Sequence, residues 1–169
     1  MDYFLFTYIN NLAGKWPCLD ALAIFFASYL VYFLVAGAIA VFFLIKAKKE
    51  RIQYLLFIGI GVILSRLIIT ELIRLIWHRP RPFINHQVTL LMEHTNSGSF
   101  PSGHVVFLFA LSAAVYFFNK RFGVAFFILS FFVGLARIFV GLHYPLDVGA
   151  GIVVGILSAV LLKIFIKRR

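Results

Sequence analysis

The sequence predicts an all-α integral membrane protein: a polytopic bundle of about five spanning helices plus an N-terminal interfacial helix, in one domain over residues 1–169. Two observations carry this prediction. First, 63% of the residues are hydrophobic and the mean hydropathy is +1.00, whereas a soluble domain is about half apolar. Second, the basic residues behind the net charge of +10 stand in short clusters between long apolar runs. This distribution is typical of membrane-protein loops and not of a nucleic-acid-binding surface.

The N-terminal segment Asp2–Gly14 mixes aromatic residues with Asn10 and Asn11, and it is too short and too polar to span a bilayer. We predict an amphipathic helix that lies at the membrane interface. The next segment, Ala21–Ile45, contains no charged residue and is long enough to span with some tilt. It is therefore predicted to be the first spanning helix.

The second predicted span, Tyr54–Trp77, differs from the first because its distal half carries Arg66, Glu71 and Arg74. Charged side chains at this depth face the interior of a bundle or a water-filled cavity. Glu71 and Arg74 lie three residues apart, on one face of a helix, so we expect them to interact.

Three further apolar segments complete the predicted bundle: His104–Phe118, Phe122–Leu142 and Leu146–Ile166. On the fifth, Gly151 and Gly155 have the spacing of a helix-packing face. Basic clusters follow the first, third and fifth spans, the last of them Lys167, Arg168 and Arg169. The positive-inside rule makes their side of the membrane cytoplasmic, together with the C-terminus. The polar segments after the second and fourth spans then fall on the outer face.

The first of three polar segments on that outer face holds Arg74, Arg79 and Arg81 near the end of the second span. Guanidinium groups are planar, permanently charged donors that match phosphate oxygens. Arg74 and Arg81 are therefore candidate phosphate ligands. Arg79 is either a further ligand or a residue that reaches lipid headgroups.

The second polar segment, Pro101–His104, stands at the predicted start of the third span. Proline and serine favour a helix start, and glycine lets an anion approach the backbone closely. The free N–H groups and the dipole of such a helix end bind anions, so Ser102 and Gly103 are candidate ligands. His104, if protonated, is a candidate general acid. The alternative interpretation is an ordinary capped helix start.

The third polar segment carries Arg137, His143 and Asp147 between the fourth and fifth spans. A carboxylate four residues after a histidine can hold the imidazole in one tautomer and leave its other nitrogen free to attack. Asp147 also falls in the first turn of the fifth span, where the helix dipole favours its ionised form. Arg137 is a further candidate phosphate ligand. Alternatively, Asp147 only neutralises Arg137 inside the bundle.

Together the three segments resemble the signature of the type 2 phosphatidic acid phosphatase superfamily, which is shared with the vanadium haloperoxidases. That signature is a lysine, six residues and Arg-Pro, then Pro-Ser-Gly-His, then Ser-Arg, five residues, His, three residues and Asp. The order and the internal spacing match from the second to the fifth predicted span. The matching positions are Arg74 with Arg81-Pro82, Pro101–His104, and Ala136-Arg137 with His143 and Asp147.

Two positions depart from this signature. Arg74 stands where the family usually has lysine, which keeps the charge but replaces a point donor by a planar fork. Ala136 replaces the usual serine, which removes a hydroxyl group. Neither change removes a nucleophile or a charge, so both bear on substrate preference and not on the chemistry.

The resemblance implies a membrane phosphatase in which His143 is the nucleophile and forms a phosphohistidine, while Asp147 orients it. His104 would protonate the leaving group and then activate water. No metal and no cofactor are expected. His78 and His86, like His94, match no signature position and are expected to be loop residues. The residues implied to hold the phosphoryl oxygens are Arg74, Arg81, Ser102, Gly103 and Arg137.

Among small bacterial members, the chain is most similar to undecaprenyl diphosphatases. The resemblance therefore implies hydrolysis of the terminal phosphate of undecaprenyl diphosphate, at the outer face of the plasma membrane. The expected partners are a lipid diphosphate or lipid phosphate and the bilayer, with no nucleic acid. One alternative is a phosphatidylglycerophosphate or phosphatidate phosphatase on the same scaffold. Another is a lipid transporter whose polar cleft binds phosphate without hydrolysis.

Overall fold

The computed structural model describes residues 1–95 and 97–167, and regular structure in these residues is helical throughout, as predicted. A π-helical segment, Ile63–Ile69, joins α4 to α5. The helices are α1 (Asp2–Asn10), α2 (Pro17–Ser28), α3 (Leu30–Leu44), α4 (Lys48–Val62), α5 (Thr70–Ile76), α6 (Pro82–Asn85), α7 (Gly103–Phe118), α8 (Lys120–Phe139) and α9 (Pro145–Lys167).

Three uninterrupted helices in the described part of the chain are long and apolar enough to cross a membrane: Lys48–Ile76, Lys120–Phe139 and Pro145–Ile166. The bent pair α2 and α3 makes a fourth if it crosses as one span. Helix α7 has 16 residues and a length of about 24 Å, which is shorter than the roughly 30 Å hydrocarbon core. The chain is thus a multi-pass helical membrane protein, in agreement with the predicted fold class.

The span predicted over Ala21–Ile45 is a pair of helices and not one continuous helix, because α2 and α3 meet at Tyr29 with a bend of 47°. Close to this bend, Nη1 of Arg137 donates a hydrogen bond to the carbonyl oxygen of Ala27 at 3.1 Å. A side chain that inserts at the carbonyl ladder of a helix is a common cause of a kink. Hydropathy could not reveal this contact, since Ala27 and Arg137 lie more than a hundred residues apart along the chain.

The second span begins earlier than predicted, at Lys48 instead of Tyr54, and runs without interruption to Ile76. Lysine, glutamate and arginine are good helix formers, so the basic cluster forms the first turns of the helix and not a loop. The π-helical segment within this span adds one residue to a turn. At its end, Oγ1 of Thr70 donates to the carbonyl oxygen of Ser65, five residues earlier, at 2.8 Å.

Helix α7 lies at the centre of the bundle and is buried along most of its length. Helix α9 packs against it through the predicted glycine pair: a Cβ atom on Gly155 would lie 2.6 Å from the carbonyl oxygen of Val106, and one on Gly151 would lie 3.0 Å from Val105. The packing role predicted for this pair is confirmed. The close approach also brings the first turns of α7 and α9 together, at the end where the polar segments lie.

Small differences in helix ends shape the polar region. Helix α8 ends at Phe139, earlier than the predicted Leu142, so residues 140–144 form a short loop. Helix α1 is packed onto the bundle by Phe6 and Asn10, and Nδ2 of Asn10 donates to two carbonyl oxygens at 2.8 Å. The interfacial location predicted for α1 stays a prediction. Arg168 and Arg169 of the C-terminal basic cluster lie outside the described residues.

Candidate active site

His143 and Asp147 lie at the junction of α8 and α9, where they are 1% and 0% exposed. Nδ1 of His143 lies 3.5 Å from Oδ2 of Asp147, and Nε2 lies 3.2 Å from Nη1 of Arg81. The carboxylate therefore faces one ring nitrogen while a cation faces the other. The spacing of the two residues predicts the carboxylate at one ring nitrogen, whereas the contact of the other nitrogen with Arg81 is not part of that prediction.

Two residues that the sequence did not indicate complete the surroundings of the Asp147 carboxylate. Oδ2 accepts hydrogen bonds from the Ser99 hydroxyl and from the backbone N–H of Tyr144, the latter at 2.8 Å. Oδ1 accepts from Nη1 of Arg79 at 2.8 Å. Among the described residues, the arginine that pairs with Asp147 is thus Arg79, and the interpretation that Asp147 only neutralises Arg137 is wrong.

Arg79 also connects the site to the N-terminal helix. Its Nη2 lies 2.6 Å from Oδ2 of Asp2, and Oδ1 of Asp2 accepts from the backbone N–H of Leu146 at 2.9 Å. The guanidinium stands 4.0 Å from the ring centre of Tyr144, in a cation–π contact. Both predictions for Arg79, a phosphate ligand or a headgroup contact, are replaced by this bridge between two carboxylates.

The arginines predicted to hold phosphate are fixed by backbone acceptors. Arg81 donates to the carbonyl oxygens of Ser97 and Leu142 at 3.0 and 3.1 Å. Arg74 donates to the carbonyl oxygen of Pro101 at 3.1 Å, which brings it to the start of α7. Arg81 and Arg137 are each 2% exposed. Such anchoring orients the remaining N–H groups of each guanidinium in advance of any ligand.

Three buried polar atoms of the described residues have no protein partner: Nε of Arg74, Oγ of Ser102 and Nε of Arg137. Ser102 occupies the N-cap position of α7, but its hydroxyl makes no capping hydrogen bond. The interpretation of an ordinary capped helix start is therefore wrong. Nearly all buried polar groups in proteins have a partner, and these three belong to residues predicted to bind phosphate.

His104 and Gly103 form the first turn of α7, with His104 partly buried. A Cβ atom on Gly103 would lie 2.6 Å from Nε of Arg66. The glycine therefore makes room for a guanidinium, in addition to the approach of an anion for which it was predicted. The predicted contact between Glu71 and Arg74 is confirmed at 3.1 Å, and Glu71 also accepts from Arg66 at 2.7 Å.

The surroundings of His143 and Arg81 favour a neutral imidazole, the candidate nucleophile, beside a charged guanidinium. The pKa of His143 is lowered to about 3, chiefly by burial and in part by the charges of Arg81 and Arg137, while Asp147 opposes this shift. Burial lowers the pKa of Arg81 to about 10, which leaves it charged near neutral pH. The imidazole of His143 is therefore unprotonated near pH 7, as a nucleophile must be.

The remaining histidines of the loops differ in their surroundings. His86 stacks on Tyr3 with ring centres 3.9 Å apart, which adds a second contact between α1 and the loop. Burial lowers the pKa of His94, and the charges of Arg81, Arg137 and Arg74 lower it further against a hydrogen bond to Thr95. His94 thus lies within the field of the three arginines.

Comparison with known proteins shows the family of this chain. The model of the PAP2 superfamily matches residues 54–169. Undecaprenyl-diphosphatase BcrC of Bacillus subtilis (strain 168) is 36% identical over 159 residues, which are 93% of this chain and 80% of that protein. The Bacillus licheniformis protein named bacitracin transport permease protein BcrC is 34% identical over 155 residues, 91% of this chain and 75% of the relative.

Two solved structures share the architecture. The crystal structure of Aquifex aeolicus LpxE superposes with a TM-score of 0.78 and 29% identity, over 95% of this chain and 93% of that one. A PAP2 type phosphatidylglycerolphosphate phosphatase from Bacillus subtilis superposes with a TM-score of 0.69 over 98% of this chain and 86% of that one; at 22% identity it supports the fold alone. The predicted family is thereby confirmed: the chain belongs to the PAP2 superfamily, as a multi-pass membrane lipid phosphatase.

Proposed function

We propose that this protein removes the terminal phosphate of undecaprenyl diphosphate through a phosphohistidine formed on His143. The observation that carries the proposal is the set of three buried donors without a protein partner, on Arg74, Ser102 and Arg137. Two of their segments are joined through the backbone to the residues of the candidate nucleophile and its aspartate. The N–H of Ser102 donates to the backbone carbonyl oxygen of Asp147, and the N–H of His143 donates to that of Arg137. Phosphoryl oxygens are acceptors that match such donors.

In the first step, Nε2 of His143 attacks the terminal phosphorus. A bond between Nε2 and phosphorus forms while the bond from phosphorus to the bridging oxygen breaks, and undecaprenyl phosphate leaves. The proton on Nδ1 is held toward Asp147, which fixes the tautomer and stabilises the charge that develops on the ring. Arg81, 3.2 Å from Nε2, stands where it can neutralise the phosphoryl oxygens during this transfer.

His104 is assigned the proton transfers of both steps. It donates a proton to the bridging oxygen as that bond breaks, and the negative charge of the bound diphosphate favours its protonated form. In the second step the neutral imidazole takes a proton from water, the water oxygen attacks phosphorus, and the bond to Nε2 breaks. Inorganic phosphate is released, and both histidines return to their starting states.

The chemistry needs no metal ion, because arginines supply the charge neutralisation that phosphoryl transfer requires. The buried carboxylate is also ill-placed to bind a cation. Both oxygens of Asp147 already accept hydrogen bonds, from Arg79 on one side and from Ser99 and Tyr144 on the other. We therefore propose metal-independent hydrolysis.

Two arguments support a lipid diphosphate as the substrate. The Bacillus subtilis relative that matches most of this chain is named an undecaprenyl-diphosphatase, and a phosphate departs more readily than an alkoxide.

The basic clusters of the sequence support a location in the plasma membrane, with the site on the outer face and the C-terminus in the cytoplasm. A phosphatidylglycerophosphate phosphatase is the runner-up.

The test compares kcat/KM of the purified protein for undecaprenyl diphosphate, undecaprenyl phosphate and phosphatidylglycerophosphate in one detergent. We expect the diphosphate to be hydrolysed fastest. A preference for phosphatidylglycerophosphate would assign the protein to the runner-up activity. In parallel, phosphoenzyme is trapped from substrate labelled in the terminal phosphate. Label that persists in His143→Ala would contradict the nucleophile assignment.

A further inference from the structure

Arg66 is a cation outside the family signature that lies directly beside the candidate active site. Its guanidinium rests against Gly103, the first residue of α7. From the position that a Cβ atom on Gly103 would take, Nε of Arg66 is 2.6 Å away, Cζ 2.9 Å and Nη2 3.2 Å. The side chain comes from the π-helical segment Ile63–Ile69, a kind of turn that is frequent at functional sites. Arg66 thus stands at the N-terminal end of α7.

Positive side chains are unfavourable at the N-terminal end of α7. The N-terminus of a helix carries about half a positive charge, and Arg74 reaches the same turn through the carbonyl oxygen of Pro101. Glu71 offsets only part of this charge, because its Oε1 accepts from both Arg66 and Arg74, at 2.7 and 3.1 Å. The single negative charge of Glu71 therefore faces the positive charges of two guanidinium groups and of a helix N-terminus. The excess charge matches an anion that extends beyond a single phosphoryl group.

The arginines at the site differ in how far their side chains are exposed. Arg81 and Arg137 are 2% exposed, whereas the side chain of Arg66 is 32% exposed. The hydrogen bond to Glu71 uses Nη1 of Arg66 and leaves the edge formed by Nε and Nη2 turned toward α7. Arg66 is therefore the more exposed charge at the open side of the site, since the side chain of Arg74 is 13% exposed and that of Arg79 is 17% exposed.

One end of an apolar cavity lies about one helical turn from Arg66. The cavity has a volume of about 550 Å³ and lies between α3, α4 and α7. Val62 and Ile63 line it one helical turn before Arg66, and Phe107 lines it one turn after Gly103. A hydrocarbon chain in this cavity would have its polar end at Arg66.

From these observations we infer that Arg66 binds the lipid-linked phosphate of a diphosphate substrate, with the terminal phosphate at His143 and the first isoprene units in the apolar cavity. The inference rests on the proposed function, because a monophosphate has no second phosphate for Arg66 to bind. According to this inference, Arg66 is the residue through which the protein prefers lipid diphosphates over lipid monophosphates.

The test measures kcat/KM of wild type, Arg66→Gln and Arg66→Lys for undecaprenyl diphosphate and undecaprenyl phosphate. Loss of a charge-assisted hydrogen bond to phosphate lowers kcat/KM for the diphosphate by about 10- to 100-fold in Arg66→Gln. The monophosphate changes by less than about threefold, since Glu71 keeps its contact with Arg74. Arg66→Lys recovers part of the loss. The matched control is Arg121→Gln, which removes an exposed arginine at the start of α8.

A second measurement uses inhibitors of monophosphate hydrolysis. Methylenediphosphonate inhibits wild type more strongly than inorganic phosphate does, and Arg66→Gln loses this preference. Equal losses of kcat/KM on both substrates, or no loss on the diphosphate, overturn the inference and leave the proposed function standing. A wild-type protein that fails to hydrolyse the diphosphate refutes the proposed function, and the methylenediphosphonate preference then decides the role of Arg66 by itself.

Discussion

Replacing Arg79 by glutamine should slow catalysis without weakening substrate binding. Nη1 of Arg79 donates to the fully buried carboxylate of Asp147 at 2.8 Å, and the guanidinium is placed to orient that carboxylate, not to contact the phosphate. A charge-assisted hydrogen bond contributes about 1.5–3 kcal/mol, so we expect kcat to fall by about 10- to 100-fold with KM nearly unchanged. The stability loss should stay below the roughly 3–5 kcal/mol of a broken buried pair, because Ser99 and Tyr144 still bind Asp147.

The assay follows phosphate release from undecaprenyl diphosphate by wild type, Arg79→Gln, Arg79→Lys and Asp2→Asn. Asp2→Asn is the matched control, since it removes the second ion pair of Arg79 and leaves the first. A partly exposed ion pair contributes up to about 1 kcal/mol, so kcat should fall by no more than about fivefold. Arg79→Lys should restore part of kcat. A raised KM at constant kcat in Arg79→Gln would show a phosphate ligand and refute the reasoning, as would a larger effect of Asp2→Asn.

Three further predictions concern acid stability, metal ions and topology. Because the pKa of His143 is lowered from about 6.5 to about 3, the unfolded chain binds a proton in this range that the folded chain does not. Stability should therefore fall as pH decreases from 7 to 5, and His143→Gln should show a smaller decrease of Tm at a fixed scan rate; an equal decrease would assign the acid sensitivity to other groups. Activity should persist in a chelator and be inhibited by vanadate, whose bound form resembles five-coordinate phosphorus; loss in the chelator that magnesium restores would oppose the mechanism. In a Cys18→Ser background, a cysteine at His86 should react with an impermeant reagent on intact cells and one at Lys48 should not, and the reverse pattern would place the site in the cytoplasm.

The sequence was sufficient for the parts of the molecule that depend on local pattern. Apolar runs located the long helices of the bundle, and the spacing of His143 and Asp147 placed both at one helix junction. The glycine pair of α9 indicated its packing face. The phosphate-binding roles of the arginines stay predictions, although the unpaired atoms of Arg74 and Arg137 agree with them.

Contacts between distant parts of the chain could not be predicted in the same way. Asp2 and Arg79 are separated by 77 positions, and Ser99 and Asp147 by 48, so no periodicity links them. The bend between α2 and α3 escaped hydropathy because a kinked span is as apolar as a straight one. Its position beside the Arg137 contact is visible only once the helices are packed.

The π-helical segment makes the site sensitive to a change of one codon. In an α-helix, positions five apart differ by about 140° in direction, whereas the π turn lets Arg66 and Glu71 meet on one face at 2.7 Å. A regular α-helix over the same residues would rotate the preceding part of the span by about 100° relative to Arg74. Every signature residue would keep its spacing, yet another side chain would face Gly103. A substitution that converts this turn to regular α-helix, and that leaves no gap in an alignment of relatives, is thus a route by which a lipid phosphatase could exchange one substrate for another during its evolution.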